Sequence, residues 1–381
     1  MTPTLARIDV HLFRAPVKEP VRAAFGSLTE RVAIFVRAED SEGAHGWGEV
    51  WSNAPSLSAP HRAQALADIV APAALGRPLN DPVALWAALE RRLHLIRLQS
   101  GDAGAFSSAL AGLDLAIHDL VARRAGLPLW RALGGRDGAP VPVYASGLNP
   151  GPSALETVRR TREAGYRAFK IKIGFGRETD LATLAPAAAD LRPGERLMVD
   201  ANQGWDLRTA VAMARDLQAF PLGWLEEPLP CDRPAHEWAQ VAAAAAAPLA
   251  AGENLRGALD FQSAIDGGSL GVVQPDAAKW GGHSGCRPVA LATLAAGRTY
   301  CPHFLGGALG LAHSLHLLAS VRGPGLLEVD ANPNPLREAL LGDLLKVTDG
   351  ALTLPAGPGV GFEPDLGAIA AFRTLHLERR G

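Results

Sequence analysis

Two lysines two residues apart carry the first sign of chemistry in this chain, in the run Ala168-Phe169-Lys170-Ile171-Lys172-Ile173-Gly174. A strand points successive side chains to opposite faces, so Lys170 and Lys172 share one side while Phe169, Ile171 and Ile173 share the other. Further along, successive segments end in polar groups: Asp200 and Asn202, Glu226 beside Glu227, Glu253, Asp276, His303 and Glu328. Taken singly, each has an ordinary explanation, as a turn residue, a solvated charge or an acid at a helix start. Jointly, and at regular spacing, Asp200, Glu226 and Glu253 form an all-oxygen set suited to a hard dication such as Mg²⁺ rather than to zinc. Periodicity alone leaves open whether Glu226 or Glu227 points inward.

Asp276 and His303 end adjacent strands, and a carboxylate beside an imidazole sets its tautomer and favours its charged form, as a general acid/base requires. On the other flank Lys172, with Lys170 and a cation nearby, is expected to have a lowered pKa and to serve as a base. A lysine and a histidine on opposite sides of a Mg²⁺-bound substrate predict removal of the proton α to a carboxylate, through an enediolate stabilised by the cation. Returning a proton to the opposite face gives racemisation or epimerisation; protonating a departing β-hydroxyl gives dehydration.

The elements that must position these groups are legible. Ile8, Val10 and Leu12, then Val32, Ile34 and Val36, alternate as strands, with Leu5 out of register, and Gly46-Trp47-Gly48-Glu49 closes a three-stranded meander. Phe106, Leu110, Leu113, Ile117 and Leu120 recur as one helical stripe, ended by Gly126-Leu127-Pro128. From Val141 short strands alternate with helices, among them Asp180 to Leu191, Leu207 to Phe220 and Ala308 to Val321. Strand ends fall near Ser146, Lys172, Asp200, Glu226, Gly252, Gln274, Cys301 and Glu328, roughly 22 to 30 residues apart, the period of a β/α barrel. After Glu328 come Asn332-Pro333-Asn334-Pro335, a short strand over Ala351 to Leu354, and Pro355-Ala356-Gly357-Pro358-Gly359. The pattern predicts an α/β protein, a (β/α)8-type (modified TIM) barrel over 136–330, with an N-terminal α+β capping domain over 1–135. A C-terminal segment, 331–381, is expected to pack back on the cap.

The 381 residues are 48% hydrophobic with a net charge of -2, enough for a large core and with no long basic run for nucleic acid or an anionic membrane. A small-molecule carboxylate is the expected partner, and a symmetric homo-oligomer the expected assembly. Cys231, Cys286 and Cys301 lack paired or C-x-x-C spacing. The opening Met1-Thr2-Pro3-Thr4 has no signal-peptide pattern, so a cytoplasmic location is expected. The alanine run Val241 to Ala247 is too short to span a bilayer and reads as a packed helix. A hydrolase barrel with clustered histidines is disfavoured, since Val141 to Ser146 has none; a binding protein that kept the barrel but lost chemistry is the other alternative.

At these residues the chain resembles the enolase superfamily, in particular its mandelate racemase branch, where Mg²⁺-stabilised ene-diolate chemistry is already known. The resemblance rests on Lys170-Ile171-Lys172, Val199-Asp200-Ala201-Asn202, Leu225-Glu226-Glu227-Pro228, Gly252-Glu253-Asn254, Pro275-Asp276 through Lys279-Trp280-Gly281-Gly282, and Pro302-His303, with Gly46-Trp47-Gly48-Glu49 and Gly112-Leu113-Asp114 in the first domain. It implies that Asp200, Glu226 and Glu253 hold Mg²⁺. Lys172 would be one acid/base, His303 with Asp276 the other, and Lys170, Asn202 and Glu328 would serve the substrate. It further implies that mobile loops around Val21 to Arg31 and Trp51 to Asn53 close over the barrel. The muconate-lactonising branch has a lysine where Asp276 stands, and some sugar-acid dehydratases a histidine where Asn202 stands, which counts against both groups. The tail resembles that of cycloisomerases acting on aldarolactones and anhydro-sugar acids. The expected substrate is a sugar acid or its lactone, with a racemase or epimerase of a non-sugar hydroxy acid as the alternative.

Overall fold

Alternating Ile8, Val10 and Leu12 build the first strand of the computed structural model, which describes residues 2–23 and 26–381. β1 (Leu5–Ala23), β2 (Gly26–Asp40) and β3 (His45–Val50) form an antiparallel sheet. Leu5 still reaches the apolar cluster of Ile8 and Val10, because the register slips between Leu5 and Arg7 and so returns it to the core face. The stretch from Val21 to Arg31, expected as a loop, is instead drawn into the β1–β2 hairpin, with Val21 opposite Leu28 and Ala23 opposite Gly26. Ala24 and Phe25 lie outside the described residues.

Helices α1 (Ala59–Ala65), α2 (Ala71–Ala74), α3 (Pro82–Ser100), α4 (Ala103–Arg124) and α5 (Leu129–Ala132) complete this cap. α4 is long and apolar enough to cross a membrane by length and composition, yet it is core: Leu110, Leu113, Ile117 and Leu120 pack with the β1–β3 side chains. The Gly-x-Gly of β3 permits this approach. A methyl at Gly48 would stand 2.3 Å from the Gly112 carbonyl oxygen, inside van der Waals contact.

The barrel then runs β4 (Val141–Leu148), α6 (Ala154–Glu163), β5 (Ala168–Lys172), α7 (Arg177–Ala189), β6 (Arg196–Asp200), α8 (Leu207–Asp216), β7 (Leu222–Glu226) and α9 (Ala235–Ala244). It continues through β8 (Leu249–Ala251), α10 (Ala258–Asp266), β9 (Leu270–Val273), α11 (Gly282–Ala295), β10 (Thr299–Tyr300), α12 (Ala308–Val321) and β11 (Leu327–Asp330). These eight strands are parallel in the order β10-β9-β8-β7-β6-β5-β4-β11, the barrel the period predicted. Among the described residues no ladder joins β10 to β11. That seam is closed by the Leu326 N–H on Cys301 Sγ at 3.3 Å and by Gly325, where a methyl would lie 1.8 Å from the Tyr300 carbonyl oxygen. α9 takes only the first part of the alanine run; Ala245 is extended and the chain bends through Ala246 and Ala247 before Pro248 and β8.

Two interior layers follow from the strand period of two. Tyr144, Ala168, Met198, Trp224, Ala250, Val272, Cys301 and Leu326, one from each strand or its edge, form a buried apolar floor. Two residues further along come Ser146, Lys170, Asp200, Glu226, Gly252, Gln274, His303 and Glu328, so the polar layer sits directly above, at the C-terminal ends of the strands. The tail adds α13 (Pro335–Leu341), β12 (Ala351–Leu352) beside β4, and β13 (Arg373–Arg380) beside β1. β13 was not foreseen as a strand, although Leu375 and Leu377 alternate with Thr374, His376 and Glu378.

Candidate active site

Lys170, Asp200, Glu226, His303 and Glu328 are buried in the polar layer, and Lys172 and Asp276 are buried two residues further along the chain. Lys170 Nζ donates to Glu226 Oε1 at 2.5 Å, lies 2.8 Å from Glu328 Oε1 and 3.8 Å from Asp200 Oδ2, and faces the Tyr144 hydroxyl at 3.5 Å. Lys172 Nζ donates to Asp200 Oδ2 at 2.6 Å. Asp200 Oδ1 accepts the Asn202 backbone N–H, and Oδ2 the Asn202 side-chain amide. Glu226 Oε2 is held by Trp224 Nε1 and Gln274 Nε2, each at 2.9 Å. Glu226 therefore points into the barrel. Glu227, at positive φ, turns with Asn254 Nδ2 onto its carboxylate toward the same end of the barrel.

His303 Nδ1 donates to Asp276 Oδ2 at 2.8 Å, and its Nε2 lies 2.5 Å from Glu253 Oε2 and 3.7 Å from Glu328 Oε2. Asp276 is itself fixed by the backbone N–H groups of Ala278 and Lys279 on Oδ1. Burial works to lower the His303 pKa, but Glu253, Glu328 and Asp276 override it and push it up to about 10, so the ring is an imidazolium. For Lys172 burial is the largest influence and lowers, with Lys170 acting the same way, but Asp200, with Glu226 adding, prevails and the pKa is raised. The chain's own charges thus act opposite to the expected lowering; Lys170 contributes in the expected sense but is outweighed.

Residues that sequence reasoning gave no role also belong to this constellation. Lys279 Nζ donates to Glu253 Oε1 at 2.9 Å, Ser146 Oγ donates to Glu328 Oε1 at 2.5 Å, and Gln274 and Tyr144 line its base. The signal for Lys279 was its place one helical turn after Asp276; that for Ser146 and Gln274 was their being the inward residues at their strand ends.

Five buried carboxylates, those of Asp200, Glu226, Glu227, Asp276 and Glu328, and the partly exposed one of Glu253 stand with four cationic groups, Lys170, Lys172, Lys279 and His303. Burial pushes Glu226 up to about 7 and Glu227 well above the carboxylate range, with Asp200 adding to both and Glu253 to Glu227. The Asn202 side-chain oxygen is buried with no partner. Burial and like charge hold Glu226 and Glu227 toward their protonated forms, and a hard dication in this all-oxygen setting would relieve that, so the residues fit Mg²⁺. Their oxygens do not converge on one point as the rotamers stand, because each carboxylate is turned onto an ammonium or imidazolium.

The one trio of metal-type ligands whose atoms lie within 4.8 Å of one another, among the described residues, is elsewhere: Asp9, His11 and His376 on the cap sheet. Its two imidazoles are stacked, 4.4 Å apart with planes 9° from parallel. A metal binds in the plane of each ring, and near-parallel planes offer no shared point; Arg7 on Asp9 also supplies the positive charge already. It is an ion-pair and stacking cluster.

Above the polar layer lies a cavity of about 640 Å³, lined from the barrel by Asn202, Gln203, Glu227, Glu253, Asn254 and Lys279 and from the cap by residues 26–30, Trp51 and residues 54–57. Arg14 ties the two cap walls, donating to Glu30 and to the Ser56 carbonyl at 3.0 Å each. Of the polar strand-end residues singled out in the sequence, Asn202, Glu227 and Glu253 line this cavity. The cap is seated by Glu49, whose carboxylate accepts the Gly307 and Gly310 N–H groups at the start of α12, at 2.6 and 2.8 Å.

Fold and site together define a capped β/α barrel with acids and bases ringed at the strand ends. Residues 7–134 match the mandelate racemase/muconate lactonizing enzyme N-terminal domain and residues 153–368 the enolase C-terminal domain-like family. The chain belongs to the mandelate racemase/muconate lactonizing enzyme family of the enolase superfamily. A mandelate racemase/muconate lactonizing enzyme from Bordetella bronchiseptica RB50 is 48% identical, with a TM-score of 0.91 over 97% of this chain and 99% of that one. The 3,6-anhydro-alpha-L-galactonate cycloisomerase of Streptomyces coelicolor is 32% identical over 96% of this chain and 99% of the relative. L-talarate/galactarate dehydratase of Salmonella typhimurium LT2, solved with Mg and L-lyxarohydroxamate, is 28% identical with a TM-score of 0.87 over 100% of this chain and 95% of that one. Homologues at 28 to 34% identity are thus cycloisomerases and dehydratases of sugar acids, and a racemase.

Proposed function

We propose that this protein is a Mg²⁺-dependent enzyme that removes the proton α to the carboxylate of a sugar acid or its lactone, leading to dehydration, cycloisomerisation or epimerisation. The observation that carries the reading is the pairing, among the buried strand-end residues, of Lys172 on Asp200 at 2.6 Å and His303 on Asp276 at 2.8 Å. Asp200, Glu226 and Glu253 would hold the metal, which supplies positive charge to offset the charge left on the substrate when the proton departs.

Asp200 would be shared between Lys172 and the metal, and to that extent its hold on the Lys172 ammonium would be weaker and Nζ would be better able to accept a proton. His303, oriented by Asp276 and with Glu328 beside it, would keep two of the carboxylates that favour its protonated form once Glu253 turned to the metal, and from Nε2 it would deliver a proton to a departing hydroxyl or to the opposite face of the α-carbon. Lys170 would donate to the substrate carboxylate, and Glu328, 2.8 Å from the same ammonium, would donate to it when protonated. The polar cavity wall of Ser27, Thr29, Asn202, Gln203 and Asn254 suits a polyhydroxylated molecule, as do the sugar-acid substrates in the relatives' names. Asp276 in place of the lysine of the muconate-lactonising branch favours an imidazole on that flank.

The test is incubation with Mg²⁺ and pooled sugar acids in D₂O, read by NMR. Deuterium beside a carboxylate is expected with the parent, and a loss of at least a hundredfold with Lys172→Ala and with His303→Asn on the face each serves. Full exchange by both variants, or none by the parent across a broad acid library, would overturn the reading.

A further inference from the structure

We propose that Trp51, in the cap, positions the metal site by holding Lys279, an inference that rests on the function proposed above. Trp51 follows β3 directly, and its backbone N–H donates to the Ala278 carbonyl at 3.2 Å, pinning the cap loop to the barrel segment that carries Lys279. The Lys279 ammonium stands 4.3 Å from the centre of the Trp51 ring, 2.9 Å from Glu253 Oε1 and 3.4 Å from Asn254 Oδ1. A buried ammonium has three N–H groups to satisfy, and here a carboxylate, an amide oxygen and the electron-rich ring face take them.

Glu253 is the proposed ligand that needs such support. Asp200 and Glu226 project from strands whose alternation aims them inward, whereas Glu253 follows the end of β8 in Gly252-Glu253-Asn254, so the aim of its carboxylate depends on what grips its oxygens. Lys279 grips Oε1 and leaves Oε2 on the side of His303, 2.5 Å away. Lysine has a flexible four-carbon stem; without the ring one of its three partners is gone and Glu253 loses a fixed neighbour. Trp51 also lines the cavity, so the wall a substrate would press on and the group that orients a metal ligand are in direct contact. The cap thereby takes part in the metal site without contributing a ligand to it.

The test is calorimetric titration of Mg²⁺ into the full-length parent, Trp51→Phe, Trp51→Leu, Lys279→Gln and the double variant Trp51→Leu/Lys279→Gln, which needs no turnover and no known substrate. Removing the ring face is expected to weaken Mg²⁺ binding by fivefold or more, and phenylalanine, which keeps a face, to stay within about threefold of the parent. In the Lys279→Gln background the same Trp51→Leu change is expected to alter affinity by less than about twofold. An unchanged affinity in Trp51→Leu, an equal loss in both backgrounds, or a phenylalanine variant as weak as the leucine one would overturn the proposal while leaving the function standing. A parent that takes up no Mg²⁺ would remove both. Should the leucine variant not fold, Trp51→Met runs the same cycle.

Discussion

Lys170 Nζ stands 2.8 Å from Glu328 Oε1, a fully buried ion pair that joins β5 to β11 across the barrel interior, with Glu226 on the same ammonium at 2.5 Å. Taking one partner from such a group leaves buried charge uncompensated. Lys170→Met is therefore expected to lower stability by about 3–5 kcal/mol, and Lys170→Met with Glu328→Met to lose less than the single change. Urea unfolding of the two variants and the parent measures both.

Asp200→Asn keeps the size of the side chain and removes a charge from the set that would hold the dication. Mg²⁺ affinity is expected to fall by about a hundredfold, read by calorimetry. The same change strips Lys172 of the carboxylate that raises its pKa, so the lysine should become reactive toward an amine reagent at lower pH than in the parent.

Acid sensitivity should arise where the cap meets the barrel. His316 accepts the Trp130 N–H on Nδ1 at 3.1 Å and donates from Nε2 to Val360; His313 donates from Nε2 to the Trp47 carbonyl at 2.7 Å and accepts from His283 on Nδ1. These rings are neutral, burial lowering His316 from 6.5 to about 4 and His313 to about 3. As pH falls below 6.5 the unfolded chain takes up protons that the folded one refuses, so their contribution is full above that value and is lost toward pH 4. The expected slope is about 1.4 kcal/mol per pH unit for each ring. Unfolding followed from pH 7.5 to 4.5 should show it, with a shallower slope in His316→Gln.

Gly48→Ala would place a methyl 2.3 Å from the Gly112 carbonyl oxygen on α4, backbone that cannot swing aside. The expected cost is about 1–3 kcal/mol or more, read as a lowered thermal midpoint. An unchanged midpoint would show that α4 does not rest on β3 as described.

Much of the site was legible because strands alternate. Period two puts Lys170 with Lys172 on one face and carries Asp200 and Glu226 to the same interior, and repeating that unit eight times specifies a barrel whose strand ends meet. Legibility failed where neighbours come from distant chain. Glu226 and Glu227 could not be told apart by period, and it is the Trp224, Gln274 and Lys170 contacts that turn Glu226 inward. The hairpin over residues 16–30 and strand β13 went unread because each is stabilised by pairing with β1 or β2, not by a strong apolar pattern of its own.

The chain's own order of residues determined which chemical groups the protein possesses at its strand ends and, through local backbone geometry, that they face one enclosed space. Tertiary structure alone decided which cation each carboxylate takes and hence the direction of each pKa. Lys172 shows why: burial and Lys170 push its pKa down while Asp200 and Glu226 push it up, and the 2.6 Å reach to Asp200 on the next strand gives the carboxylates the larger share. Coulomb energy depends on separation in space, and the strand pattern sets the face a side chain occupies but not its distance to a group on another strand.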